Sequence, residues 1–283
     1  MNNMFCFQCE QTAGGKGCTG SRGVCGKQEL TANLQDELTG ALISLGKAAS
    51  GREKGSSAHK AMLEGLFTTV TNVNFDDDSV RGMTERVRRA TASLDSSCDC
   101  AGGPCKADYA LSSLWSADDD TRSLKSLVLL GLRGTAAYAH HAFVLGYGDD
   151  EIMDFLYKGM AAIGEDLSVG ELLPLVLETG RINLKCMELL DKAHTETYGT
   201  PTPVTVPLSV EKGPFIVVTG HDLHDLKQLL EQTRDKGINI YTHGEMLPAH
   251  AYPKLKSYLH LKGNFGTAWQ NQQKEFDNLP API

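Results

Sequence analysis

Leucines at positions 30, 34, 38, 42 and 45, with Glu29, Gln35, Asp36 and Glu37 on the other faces, predict an amphipathic helix early in the chain. The polar run Ser50 to Ser57, SGREKGSS, ends it. Helical spacing resumes over Met62 to Thr69 and breaks at TNVNFDDDS, Thr71 to Ser79. It returns in a helix that Asp78 or Ser79 caps and that runs to Ala92. From Asp120, the positions Leu124, Leu127, Val128, Leu130 and Ala137 predict one long buried helix, and the acidic run Asp118 to Asp120 suits its positive N-terminal end. Two more helices are expected over residues 149–163 and 168–193.

The pattern changes at TPTPVTVPLSV, where four prolines between Pro201 and Pro214 read as a linker. Beyond it, the β-branched run PFIVVTG, the amphipathic HDLHDLKQLLEQTRDKG and the run INIYT predict strand, helix and strand, a right-handed βαβ unit with parallel strands. The last forty residues have no clean period. The expected architecture is a helical domain over 1–210, with the segment 68–76 a candidate to cross to the second domain, and the start of an α/β domain over 211–283.

Hydrophobic residues make up 41% of the 283 and charged residues 22%, as in globular proteins. A net charge of -8 argues against a phosphate-tracking surface, so nucleic acid is not an expected partner. MNNMF lacks the basic and apolar stretches of a signal peptide. The most apolar run, SLVLLGL, stops at Arg133 and is too short to span a bilayer. The expectation is a cytoplasmic protein with no membrane partner, in which clustered cysteines read as metal ligands or catalytic groups before disulfides.

Four of the eight cysteines, Cys6, Cys9, Cys18 and Cys25, fall within CFQCEQTAGGKGCTGSRGVC. A C-x2-C pair spans one tight turn, so both sulfurs can reach one metal or two irons of one cluster. Structural zinc usually takes two such close pairs, and the spacing between Cys18 and Cys25 is loose for that. Iron-sulfur clusters accept wider spacing because their ligands attach to different irons, and they favour glycine-rich loops whose N–H groups reach the sulfides. Gly14, Gly15, Gly17, Gly20 and Gly23 supply such backbone. The spacing favours iron-sulfur over zinc, and either over unligated thiols.

Parallel strands bring their C-terminal ends to one edge, where open α/β sheets bind ligands. Gly220-His221-Asp222 follows the first predicted strand and Thr242-His243-Gly244-Glu245 the second, so His221 and Glu245 are expected near each other. An imidazole and a carboxylate there suit iron. In the plainer reading His221 caps the next helix and Glu245 is solvated; without a third ligand, pattern alone favours it.

Taken together, CFQCEQT, GVCGK, TANLQD, LRGTAAYAHHAFVLGY, TGHDLHDLKQLLEQT and YTHGEMLPAHAYP resemble the hybrid cluster protein family, also known as prismane proteins or hydroxylamine reductases, from Met4 to Ile283. The resemblance implies a helical N-terminal domain followed by a Rossmann-like α/β domain, incomplete in this chain, in an architecture shared with nickel carbon monoxide dehydrogenase. It implies an oxidoreductase that reduces hydroxylamine to ammonia and water, in some members linked to nitric oxide reduction, and that takes electrons from a redox partner protein. By motif match, Cys6, Cys9, Cys18 and Cys25 bind the proximal iron-sulfur cluster. The gap before Cys18 is like that of members with [4Fe-4S], the gap before Cys25 like that of members with [2Fe-2S], and the former is preferred. His221 of GHDL and Glu245 of HGEM match the first two protein ligands of the hybrid [4Fe-2O-2S] cluster. Family chains are longer and carry the remaining hybrid-cluster ligands downstream. The sequence is therefore expected to be a fragment, a truncated product or half of a split enzyme, closing that site only with the missing half. The alternative is a single-cluster electron-transfer or redox-sensing module without turnover of its own.

Other thiols and imidazoles carry less. Cys98, Cys100 and Cys105 lack a fourth partner and read as surface or packed thiols, and Cys186 as a buried small hydrophobe. Neighbours on a helix point about 100° apart, so His140 and His141 are not expected to share a metal. His224 is expected to be exposed, and His243 to support Glu245 or supply a proton. No strand precedes the cysteine loop and no GxGxxG occurs, which excludes a dinucleotide cradle there.

Overall fold

A computed structural model describes residues 4–9, 12–70, 74–94 and 108–283. Cys98, Cys100 and Cys105 lie outside the described residues. The chain divides into two compact units. One comprises the described residues up to His140 with Gly148–Leu189; the other comprises His141–Tyr147 with Leu190–Ile283. The sequence-based boundary at 210 falls inside the second unit, and the described part of 68–76 belongs to the first.

The first unit is helical: α1 (Glu29–Ala48), α2 (Ser56–Thr68), α3 (Asp77–Leu94), the short α4 (Ser112–Trp115), most of α5 (Asp119–Val144), α6 (Asp150–Ile163) and most of α7 (Val169–Tyr198). Helix α1 packs against α3 and α6 and carries Leu38, Leu42, Ile43 and Leu45, all fully buried, into one apolar core. Leu30 departs from the expected buried row, at 49% exposed. A row spaced strictly by four turns about 40° around the helix at each step, which takes its first member off the core-facing side. Helix α5 departs likewise. It buries Val128, Leu129, Leu132 and Ala136, while Leu127 is 55% exposed, so the helix has one buried face and not a buried circumference. Helix α3 starts earlier than expected because Asp76 accepts from the N–H groups of Asp78 and Ser79 and is its cap. Helix α2 also begins before the predicted Met62.

The second unit holds a three-stranded parallel sheet in the order β1 (Phe215–Val218), β2 (Asn239–Thr242), β3 (Leu261–Asn264). Helix α8 (Leu223–Thr233) connects the first two strands and buries Leu223, Leu226 and Leu230 in a second apolar cluster with Ile240, Met246 and Leu255. Strand β3 lies in the stretch where the sequence has no period. The proline segment also differs from a free linker. Asn264 N donates to the Pro207 carbonyl at 2.9 Å, and Glu211 N to the Tyr241 hydroxyl at 2.8 Å. Among the described residues no helix is long and apolar enough to cross a membrane.

Helices α1 and α6 approach closely at Gly46, where an added Cβ would lie 2.8 Å from the backbone of Ala161 and Tyr157. Backbone cannot retreat as a side chain can. Gly46→Ala is therefore expected to destabilise the chain by about 1–3 kcal/mol in urea denaturation. Gly82→Ala, exposed on α3 with nothing within 4 Å, is expected to stabilise it by up to about 1 kcal/mol. Equal effects of the two would refute the packing argument.

Candidate functional site

The cysteine loop is pinned at its base by an antiparallel bridge, Cys6 N to Cys18 O at 3.0 Å and Cys18 N to Cys6 O at 2.9 Å. Thr12 braces the interior: its N–H donates to the Cys9 carbonyl, its hydroxyl to the Cys6 carbonyl at 3.1 Å, and its Oγ1 lies 3.8 Å from Cys18 Sγ. Gly17 is required where it stands, because its φ is 122° and a Cβ there would sit 2.5 Å from the Phe5 ring. Phe5 and Phe7 in turn meet the Trp115 ring edge-on, with centroids 5.3 and 6.1 Å away.

All four loop cysteines are free thiols; Cys18 is buried and Cys6, Cys9 and Cys25 are half-buried. Burial raises the Cys6 pKa, with Lys27 pulling the other way. Burial acts on Cys18 too, yet the N–H groups of Val24 and Ala13, the Thr12 hydroxyl and Lys27 outweigh it and lower that thiol. Four sulfur donors on one short loop, with N–H groups turned towards one of them, make a donor set that fits an iron-sulfur cluster.

Beneath the loop runs a polar ribbon that the sequence reading left unassigned. Lys27, 1% exposed, donates from Nζ to Gln35 Oε1 at 2.6 Å and to Gln8 Oε1 at 3.4 Å. Thr39 donates to the Gln35 carbonyl and accepts from Arg133 Nη2 at 2.8 Å. Arg133 is 5% exposed, and its Nε has no hydrogen-bond partner among the described residues. Burial lowers the Arg133 pKa to about 10. Half-buried Asp36, on the same helix as Gln35 and Thr39, is pushed up to about 7 by burial, against the pull of Arg133 and Lys27. The available signal was an arginine ending the most apolar run of the chain.

On the sheet, Val218 and Thr242 are paired in register, and His243 N donates to the Val218 carbonyl at 2.9 Å. His221 and Glu245 therefore follow adjacent, hydrogen-bonded strand ends at the same edge, and both side chains are exposed. His221 does not cap α8. Asp222 does, accepting from the N–H groups of His224 at 2.7 Å and Asp225 at 3.2 Å. Asp222 also lies 3.4 Å from His141 Nδ1, and these donors outweigh burial and hold its carboxyl down at about 2. His224 is half-buried, not exposed as expected, with Gln228 Nε2 3.3 Å from its ring. Asp222, His224 and Asp225 are the one group of three such ligand atoms within 4.8 Å among the described residues, a closeness that the cap geometry accounts for.

His243 is fully buried and clamped on both nitrogens, with Nε2 2.8 Å from Glu275 Oε2 and Nδ1 3.1 Å from Thr219 Oγ1. Glu275 is held below the usual carboxylate range by the Thr267 hydroxyl and by His243. His140 stacks on Phe67 at 4.2 Å, while His141 faces Asp222. Cys186 is fully buried, as expected, with Sγ 3.4 Å from the Thr135 carbonyl, and burial pushes its thiol up to about 12.

A helical unit headed by a four-thiol loop, and a unit whose parallel sheet ends near an imidazole and a carboxylate, define a class of mixed helical and α/β proteins. The model of the Prismane/CO dehydrogenase family matches residues 4–283, and the chain belongs to that family. It is similar to proteins named hydroxylamine reductase from Methanocella arvoryzae, 46% identical over 99% of this chain and 56% of the relative. The corresponding proteins of Syntrophobacter fumaroxidans and Solidesulfovibrio magneticus are 47% and 48% identical over the same shares. The chain thus spans about half the length of the curated relatives it matches.

The burial difference among the thiols sets their reactivity. In the metal-free chain at pH 8, iodoacetamide is expected to modify Cys9 and Cys25 at least about tenfold faster than Cys186, read by peptide mass spectrometry, and denaturant is expected to erase the difference. Modification of Cys186 at the loop rate in the folded chain would contradict the assigned burial.

Proposed function

We propose that this chain carries the electron-entry half of an oxidoreductase of the hydroxylamine reductase type. Cys6, Cys9, Cys18 and Cys25 hold an iron-sulfur cluster, [4Fe-4S] in preference to [2Fe-2S]. His221 and Glu245 contribute to a hybrid [4Fe-2O-2S] centre whose other ligands lie outside this sequence. The observation that carries the reading is the braced loop of four free thiols, which presents an iron-sulfur donor set at the head of a chain in this family. The names of the relatives support hydroxylamine as substrate; nitric oxide as a second substrate and a redox protein as electron donor follow from the family resemblance. The parallel sheet supports reading residues 211–283 as the start of a Rossmann-like domain.

When bound, such clusters would supply electron storage and a Lewis acid for the N–O bond, the chemistry that a two-electron, two-proton conversion of hydroxylamine to ammonia and water requires. The chain's own residues have simpler tasks. The Cys6–Cys18 backbone bridge and Thr12 hold the main chain that carries Cys6, Cys9 and Cys18, and Asp222 caps α8 so that His221 remains clear of the helix end. Glu275 and Thr219 lock the orientation of the His243 ring two residues before Glu245. The narrower alternative is an electron-transfer or redox-sensing module, for which the four-thiol loop by itself would serve.

Anaerobically purified chain is expected to be brown, to contain acid-labile sulfide and at least about four irons, and to bleach with dithionite. Cys9→Ser is expected to lose most of that iron, and Cys186→Ser to keep it. Hydroxylamine-dependent oxidation of reduced methyl viologen would support the full reading. Iron without turnover would favour the module, and zinc or no metal would overturn both.

A further inference from the structure

Lys27 and Arg133 are both more than nine-tenths buried, and neither has a carboxylate within ion-pair distance among the described residues. Buried cations without an anion are strongly disfavoured, and the hydroxyl and amide groups that they do reach are neutral. The two are joined through one ribbon, Arg133 to Thr39 to the Gln35 backbone, and the Gln35 side chain to Lys27. Lys27 Nζ also reaches Gln8 Oε1, on the loop between Cys6 and Cys9, at 3.4 Å. Asp36 acts on both from a distance, with no hydrogen bond or ion pair to either among the described residues, and burial works against its charged form. The missing negative charge is what four thiolates around an iron-sulfur core would bring.

We infer that Lys27 and Arg133 form a buried cationic base that compensates the charge of the thiolate-bound cluster and raises its reduction potential. This rests on the cluster reading of the loop. Neither residue touches a reacting atom; each acts on the cluster through its field, making the more negative, reduced form easier to reach. Lys16, exposed on the same loop, is screened by water and is the control.

The test uses the iron-loaded chain and its variants Arg133→Met, Lys27→Met, Arg133→Lys and Lys16→Met. Iron per chain, the midpoint potential from an EPR-monitored titration, and the melting temperature of the metal-free form are measured for each. Arg133→Met and Lys27→Met are each expected to disfavour reduction about tenfold, a fall of about 59 mV for one electron. Arg133→Lys is expected to keep most of the wild-type potential, and Lys16→Met all of it. With the metal removed, Arg133→Met is expected to melt no lower than wild type, because an uncompensated charge has gone. A purely structural arginine would lower that melting temperature and leave the potential alone. Failure of a folded Arg133→Met chain to take up iron also supports the inference. Unchanged potentials in both methionine variants overturn it and leave the cluster reading intact, whereas an iron-free wild type overturns both.

Discussion

A lysine ammonium or an arginine guanidinium taken out of water without an anion beside it disfavours the folded state by several kcal/mol, and the N-terminal unit holds one of each below four thiols. That constraint orders much around it. Helix α1 is otherwise a core helix, yet it gives Gln35 and Thr39 to the interior to receive the two cations. Gln35 is held in turn by donating to the Asn74 carbonyl at 3.0 Å, ahead of α3. Apolar residues at those positions would pack the unit more simply. A polar ribbon in a leucine-rich core is explained by what it faces, not by stability alone.

The loop above shows how little regular structure a donor set needs. One bridge, one threonine and a few glycines turn a chain with almost no helix or strand into a frame, and aromatic contacts from Phe5 and Phe7 fasten it to Trp115. At the sheet edge the means are different. Strand register fixes where each loop begins, the Asp222 cap fixes where α8 begins, and the Glu275–His243–Thr219 clamp fixes the path towards Glu245. In both places the candidate ligands stand on backbone that other side chains hold in place.

Much of this was legible from the sequence. Helices α1 to α3, α5 to α8 and the first two strands follow from apolar period and from Gly, Pro and Asp punctuation, and the cysteine spacing singles out the loop. What stayed hidden has physical causes. Strand β3, LKGN, is four residues long, carries a glycine pressed against the Pro207 carbonyl and shifts register against β2, so no alternation develops. The pairing of the proline segment with β3 depends on a contact across more than fifty residues of chain. Leu30 and Leu127 match a helical repeat in type and miss the buried face in angle. Lys27 and Arg133 look like ordinary surface charges until the fold places them inside; only the apolar neighbours of Arg133 gave notice.

In the proposed reading the sulfurs of Cys6, Cys9, Cys18 and Cys25 hold iron. Diffraction from anaerobically grown crystals, recorded on both sides of the iron absorption edge, tests it with no assay of activity. Iron anomalous signal enclosed by these four sulfurs is expected, with each sulfur within bonding distance of an iron of the cluster. A peak that appears only at the zinc edge, or iron density away from the loop with the four thiols unligated, would contradict it.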